Sequence, residues 1–270
     1  MTDERRLDIA AFQGSTVDGE CNLPTMKEQV SKAVAVGAEL LIFPELFLTG
    51  YQVPGEEMKR LAEERDGPSF RELSRTAKES NIAVLYGYPE VDRSSGAPVY
   101  YNSAQLIDRG GTSLVNYRKT HLWIDEDGYE KIFTPGDSLS KVVECCGVKI
   151  GILICFDLEF PECARSLAVD GAELVVIPTA ISTRLPADLS EKIPSVVIPT
   201  RACENRVHVV SVNHGGDDFQ GHSVCCDCNG DVVVQAGSNK QLLFFTIYPS
   251  LPPVYDYLTK RRPHIYDNKP

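Results

Sequence analysis

What this chain is short of narrows the choices first. No segment approaches the ~20 consecutive apolar residues that a membrane-spanning helix needs. Met1 to Arg6 is polar and charged, and the apolar run behind it soon meets Gln13 and Gly14, so the three-part form of a secretory signal is missing. Both absences point to a soluble, cytoplasmic protein. Positive charge is also scarce. The 27 Lys and Arg stand against 38 Asp and Glu, a formal net charge of -11, and sequence-independent binding to nucleic acid or an anionic membrane lacks the cations it requires. No long Gly, Ser or Pro linker divides the 270 residues. A chain of this length can bury roughly three quarters of its unfolded surface, so a single domain over residues 1–270 is expected.

Cysteine is plentiful but unordered. The nine fall at Cys21, Cys145, Cys146, Cys155, Cys163, Cys203, Cys225, Cys226 and Cys228, an odd number with two adjacent pairs and no framework spacing. A reducing compartment fits that pattern. Cys225, Cys226 and Cys228 come nearest to a metal-ligand cluster, yet a fourth ligand and paired Cys-x-x-Cys knuckles are missing. Buried thiols in a strand are the plainer reading, and neither metal nor cofactor is expected.

Short β-branched apolar runs recur along the chain: "RLDIAAF", "ELLIFPE", "NIAVLYGYPE", "YNSAQLID", "TSLVNYRK", "VKIGILICFD", "ELVVIPTA", "VHVVSVN", "GHSVCCD", "DVVVQA" and "LLFFTIY". Between them Met26 to Val36, Phe70 to Ser80, Pro161 to Val169 and Ser195 to Arg206 carry apolar residues at helical spacing, with Pro199 interrupting the fourth. This is an α/β pattern. "GAELLIFPE" at Gly37 to Glu45 echoes "GAELVVIPT" at Gly171 to Thr179. Two related helix-strand units would produce the echo, and so would the shared letter preferences of a helix, a glycine cap and a buried strand. The tail from Tyr248 to Pro270, with five prolines and the basic run Lys260 to Arg262, reads as an extended C-terminal arm or a frayed end.

Three of the strands run into residues able to do chemistry: "LLIF" into Glu45, "SLVNY" into Lys119, and "KIGILI" into Cys155. Sites in α/β sheets gather beyond the carboxyl ends of strands, so the three side chains could converge. Singly, each is ordinary: a solvated loop acid, a surface lysine, a packed thiol. Together, "FPELFLTGY" at Phe43 to Tyr51, "YRKTHLW" at Tyr117 to Trp123 and "CFDLEFPE" at Cys155 to Glu162 resemble, in order, the three signature segments of the nitrilase superfamily of carbon-nitrogen hydrolases. The resemblance continues through "YEKIFTPGD", "RACENRVHVVSVN", "GHSVCCDCNG" and "RRPHIY", essentially the whole chain. It implies a four-layer α-β-β-α sandwich with two mixed β-sheets. It also implies Glu45, Lys119 and Cys155 as catalytic triad, Glu130 as a second glutamate beside the lysine, and a homodimer or larger homo-oligomer in which residues 248–270 exchange contacts.

The chemistry asks for these residue types in its own right. A free thiol is only a few per cent thiolate at neutral pH, and a neighbouring Lys119 ammonium would raise that fraction. Cys155 would then attack an amide carbonyl. Lys119 and the Phe156 N–H would meet the oxyanion, and Glu45 would carry the proton from sulfur to departing nitrogen. Glu130 would help keep a buried lysine charged.

Beside the signature positions, Tyr51, Trp123, Phe156 and Ala180 are candidates for the substrate pocket, with core packing as the competing assignment. His121 is read as structural more readily than as a base. Asp157, Glu159 and Glu162 follow Cys155 closely and are read as shaping the nucleophile's turn without proton chemistry, with Asp157 and Glu162 capping the helix that begins near Pro161 and bonding nearby backbone. The resulting expectation is hydrolysis of a small aliphatic amide to acid and ammonia through a thioester. An N-carbamoyl compound is the runner-up and a nitrile third, because Phe156 follows the nucleophile where true nitrilases more often carry tryptophan. An inactive scaffold of the same fold and a thiol redox protein are the alternatives of other classes.

Overall fold

The computed structural model describes residues 5–124, 128–186, 191–249 and 257–265. Two six-stranded sheets form its centre. In chain order the strands are β1 (Leu7–Gln13), β2 (Leu40–Ile42), β3 (Ala83–Asp92), β4 (Val99–Ile107), β5 (Ser113–Arg118), β6 (Val143–Cys145), β7 (Val148–Ile152), β8 (Leu174–Pro178), β9 (His208–Val212), β10 (Val224–Cys226), β11 (Val232–Gln235) and β12 (Gln241–Ile247). The first sheet runs β12-β1-β2-β3-β4-β5 and the second β11-β10-β9-β8-β7-β6. Both are mixed. β1, β2 and β3 are parallel, as are β7, β8 and β9, and antiparallel strands flank each trio. The central strands read as nearly unbroken apolar runs because they are covered on both faces.

Alternate residues of each strand go to different layers. Ile9, Leu40, Ile42 and Leu85 meet Ile150, Ile152, Leu174 and Val210 between the sheets. On the outer face of the first sheet Ala10, Leu41 and Val84 pack against Met26, Val30 and Leu73, which belong to α1 (Leu23–Ala35) and α3 (Pro68–Ser80). On the outer face of the second, Val175, Ile177 and Val209 pack against Ala164, Leu167 and Ala202, from α4 (Pro161–Val169) and α5 (Ile198–Asn205). The result is the α-β-β-α sandwich. Each helix turns its buried stripe inward at the spacing its sequence shows: Met26, Gln29, Val30 and Ala33 in α1, and Cys163, Ala164, Leu167 and Ala168 in α4. Among the described residues no helix is long and apolar enough to cross a membrane.

The sequence echo has a structural counterpart. β2 and β8 occupy the same place in their sheets, each at the centre of a parallel trio with the same flanking pattern, and each follows a helix closed by a glycine at positive φ, Gly37 and Gly171. The second sheet repeats the first in wiring. Two elements are absent from the sequence reading. β6 is a three-residue edge strand, too short for a period, and α2 (Gly55–Leu61) turns only Met58 fully inward. Pro199 does not break its helix. It stands in the first turn of α5, directly behind a wide π-helical turn at Ile193–Val197. Cys225 is buried between the sheets and Cys226 beneath the outer helices. Of the C-terminal arm, Tyr257 lies under the Arg206 guanidinium, 4.8 Å from its ring centre, and Leu258 packs on the second sheet's outer core. Residues 250–256 and 266–270 of that arm lie outside the described residues.

β3 makes one close backbone approach, to the turn that carries Glu45. A Cβ on Gly87 would stand 2.4 Å from the Leu46 nitrogen, 2.8 Å from the Pro44 oxygen and 3.0 Å from the Glu45 carbonyl carbon. The turn after β2 is therefore pressed against bare backbone. Gly87→Ala is expected to lower unfolding stability by roughly 1–3 kcal/mol, read as a shifted urea midpoint. Gly237→Ala, where nothing lies within 4 Å, is the control and should stay within about 0.5 kcal/mol. Equal midpoints for the two variants would refute the close-approach account.

Candidate active site

The three strand ends marked in the sequence meet at one end of the sandwich. β2 delivers Glu45 and β5 delivers Lys119 from the first sheet, while β7 delivers Cys155 from the second. The Lys119 ammonium donates to Glu45 Oε1 at 2.7 Å and to Glu130 Oε1 at 2.6 Å, and none of the three side chains has any solvent exposure. Glu130 also accepts the Tyr51 hydroxyl at 2.8 Å and the Trp123 N–H at 3.1 Å. Asn102 on β4 donates its amide to Glu45 Oε1 at 2.8 Å, and its backbone carbonyl accepts the Lys119 N–H at 2.8 Å. Glu45 Oε2 has no hydrogen-bond partner among the described residues. One carboxylate oxygen is thus tied down and the other left open.

Burial sets the electrostatics. Desolvation acts against the Lys119 charge, but Glu130 and Glu45 outweigh it and hold the ammonium well above its ordinary pKa. Desolvation also pushes the Glu45 carboxyl up to about 7, with Lys119 opposing it and Glu130 adding to it. The Cys155 thiol goes well above its ordinary value, first through desolvation and then through the Glu45 charge, against the pull of Lys119 and of a hydrogen bond from the Ala180 N–H. Lys119 acts in the expected direction, toward the thiolate, and is outweighed by burial and the Glu45 charge.

Cys155 heads a short helical turn, Cys155–Glu159, with φ at +46°, in the left-handed region that a residue with a Cβ rarely adopts. Leu46, directly after Glu45, is at +48°. Both turns are held from outside. Asp157 is buried, and its Oδ2 accepts the Ile154 N–H at 3.0 Å and the Tyr117 hydroxyl at 2.7 Å. Its Oδ1 accepts the Thr120 hydroxyl at 2.9 Å and the His121 N–H at 2.8 Å. Asp157 therefore caps the Cys155 turn and straps it to the segment carrying Lys119. It does not cap α4, as its place in the sequence suggested, and α4 has no side-chain cap although Glu162 lies in its first turn. His121 stacks on Phe160 at 3.9 Å with Nδ1 3.0 Å from Asp157, a structural setting. His214, unremarked in the sequence, is buried between the rings of Phe47 and Phe219 with Nε2 2.7 Å from the Glu45 carbonyl oxygen. Burial lowers its pKa to about 4, so the neutral ring donates to that carbonyl.

Cys155 opens into a cavity of about 330 Å³. Tyr51, Trp123, Phe156 and Ala180 all line it, with Trp123 edge-on to Phe156 at 5.0 Å. Tyr51 does a second task through its bond to Glu130. Glu159, Ile181, Arg184 and Leu185 complete much of the wall. Among the sequence features, the buried Asn102 and His214 gave no distinctive signal, since a polar residue in a strand says nothing of which carbonyl or carboxylate it will meet. Among the described residues no group of three or more His, Cys, Asp or Glu is placed to hold a metal ion.

The family profile described as carbon-nitrogen hydrolase matches residues 8–251. A protein of Pseudomonas protegens named hydrolase in the pqqF 5′ region is 40% identical over 242 residues, 87% of this chain and 81% of that one. An (R)-stereoselective amidase of a Pseudomonas species is 33% identical over 240 residues, 87% and 82%. Among solved structures, an amidase from Nesterenkonia sp. superposes with a TM-score of 0.84 at 28% identity, covering 99% of this chain and 97% of that one. A variant of that amidase carries the acetamide moiety of fluoroacetamide covalently added at its active site cysteine.

The Asp157 strap makes a direct prediction. Asp157→Ala leaves four donors without their acceptor and is expected to cost roughly 3 kcal/mol of unfolding stability, measured by urea denaturation. A variant as stable as the parent would mean that the two segments hold their places without it.

Proposed function

This chain belongs to the carbon-nitrogen hydrolase family, and from that premise we propose that it is an amidase converting a small aliphatic amide to its carboxylic acid and ammonia, with Cys155 as nucleophile. The observation that carries the reading is the buried pairing of Lys119 with two carboxylates beside a thiol, at the floor of an apolar cavity. Amide hydrolysis needs a nucleophile, a proton carrier and fixed positive charge at one carbonyl, and each has a candidate here.

The steps follow from the geometry. Glu45, ionised, takes the Cys155 proton on its open Oε2 as sulfur bonds to the amide carbon. The carbonyl electrons move to oxygen, where Lys119 and the Phe156 N–H, in the first turn of a helix and without a partner inside it, stabilise the charge. On collapse the carbon-nitrogen bond breaks, Glu45 returns the proton to nitrogen, and ammonia leaves as a neutral molecule. A thioester remains on Cys155. Glu45 then takes a proton from water as its oxygen attacks the thioester, and gives it to sulfur as the acid departs. Glu130, tied by Lys119, Tyr51 and Trp123, holds the cation in place throughout. The reading extends to assembly as a homodimer or larger with residues 248–270 as interface, and to no cofactor.

Ammonia release from a panel of amides, N-carbamoyl compounds and nitriles tests the reading. Amides should turn over fastest, and success on carbamoyl substrates alone would overturn the ranking. Cys155→Ala should lose at least about 10⁴-fold in kcat and gain no mass on exposure to fluoroacetamide. Near-parental turnover in that variant would end the assignment. Glu130→Gln should slow turnover and leave the fold intact by circular dichroism.

The pH profile supplies a separate check. Glu45 must be ionised to accept the thiol proton, and its carboxyl titrates at about 7. Below that value the base is protonated, so kcat/KM should fall about tenfold per unit as pH drops from 6.5 toward 5. A profile flat between pH 5 and 8 would remove Glu45 from the role of base.

A further inference from the structure

The wall of the Cys155 cavity is mostly aromatic and aliphatic, and among its described lining residues only Glu159 and Arg184 are charged. Their situations differ. Arg184 already has a partner. Glu159 has none for its carboxylate among the described residues. Arg201, the nearest cation to act on it, spends its guanidinium on the Leu158 carbonyl at 3.0 Å, the Glu159 carbonyl at 3.1 Å and the Glu204 carboxylate at 3.1 Å. Glu159 is half-buried, and desolvation raises its carboxyl pKa with Arg201 opposing. A partly desolvated, unpaired carboxylate gains most from an incoming cation.

Its position is also fixed relative to the chemistry. Cys155 and Glu159 are the first and last residues of one five-residue helical segment and line the same cavity, and four steps at ~2 Å of rise put their backbones on the order of 8 Å apart along its axis. That turn is capped by Asp157. A short acyl chain attached at Cys155 and extending through the cavity both residues line has its far end within reach of Glu159. The overall charge of -11 adds a field that draws cations toward the protein.

Resting on the amidase reading above, we propose that Glu159 is the specificity-determining residue of the acyl cavity, selecting amides whose acyl chain ends in a protonated amine. The reaction at Cys155 is unchanged. What Glu159 adds is an ion pair with the substrate's ammonium, formed in a cavity that otherwise offers apolar contact.

Three amides of matched length test this: 4-aminobutanamide with a terminal ammonium, pentanamide with a methyl in its place, and 5-amino-5-oxopentanoate with a carboxylate. Wild-type kcat/KM should favour the ammonium over the methyl compound by at least about tenfold, with the carboxylate last. Glu159→Gln should cut the ammonium-to-methyl ratio about tenfold, and Glu159→Asp should keep part of it. Inhibition of wild-type pentanamide hydrolysis by butylamine against butanoate reads the same preference without any variant, with the amine expected to inhibit more strongly. Equal or reversed preference in the wild type, or a ratio untouched in Glu159→Gln, would overturn the proposal while pentanamide turnover left the amidase reading standing. Failure of every amide would remove both.

Discussion

The structure depends on one buried cation held between two buried carboxylates. Lys119 is wholly out of solvent, and a lone ammonium there would shed its proton. Glu45 and Glu130 keep it charged, and their own charges are tolerable in that setting because it is there. The arrangement is unforgiving: each member is fixed by further bonds, Glu45 through Asn102 and Glu130 through Tyr51 and Trp123. A network of this kind, in a region where water cannot substitute for a missing partner, specifies one geometry or none.

That geometry has a chemical consequence. Burial and the Glu45 charge hold the Cys155 thiol above its ordinary pKa although Lys119 pulls it down. In the proposed reaction the proton leaves sulfur only as Glu45 takes it, so deprotonation and attack belong to one event and the nucleophile is not exposed to stray reaction beforehand. The strained backbone at Cys155 and Leu46 fits the same scheme, since residues in left-handed conformations persist only where their surroundings enforce them. Here the enforcement is visible: Asp157 straps the Cys155 turn to the Lys119 segment, while Gly87 and His214 confine the Glu45 turn from opposite sides.

The doubled wiring of the two sheets explains how such distant segments meet. Each sheet presents the carboxyl ends of a parallel trio, and the face-to-face stack brings β2 and β7 to the same end of the molecule. Yet the two halves are not used alike. After β2 the chain offers Glu45; after the equivalent β8 it offers Thr179 and Ala180, whose N–H reaches the Cys155 sulfur. The repeat supplies the frame, and its divergence makes room for a cavity beside the nucleophile.

Much of this was legible in the sequence. Eleven strands and four helices announced themselves because burial on both faces enforces apolar runs, and burial on one helical face enforces a stripe. Glu45, Lys119 and Cys155 were legible as candidates because three separate signature segments agreed, and Glu130 because the resemblance continued through "YEKIFTPGD". α2 and β6 were not, being too short or too lightly buried to leave a period. The strap from Asp157 to Tyr117 and Thr120, the carbonyl held by His214 and the amide of Asn102 on Glu45 were hidden for another reason. Hydrogen bonds join residues tens to hundreds of positions apart, and nothing local marks which donor will find which acceptor. The sequence by itself determined the α/β layers and the reactive residue types. Only the tertiary structure decided that burial and the Glu45 charge outweigh Lys119 at the thiol and that Glu159 lines the cavity with no partner for its carboxylate among the described residues, because pKa and pairing depend on burial and on neighbours that folding alone brings together.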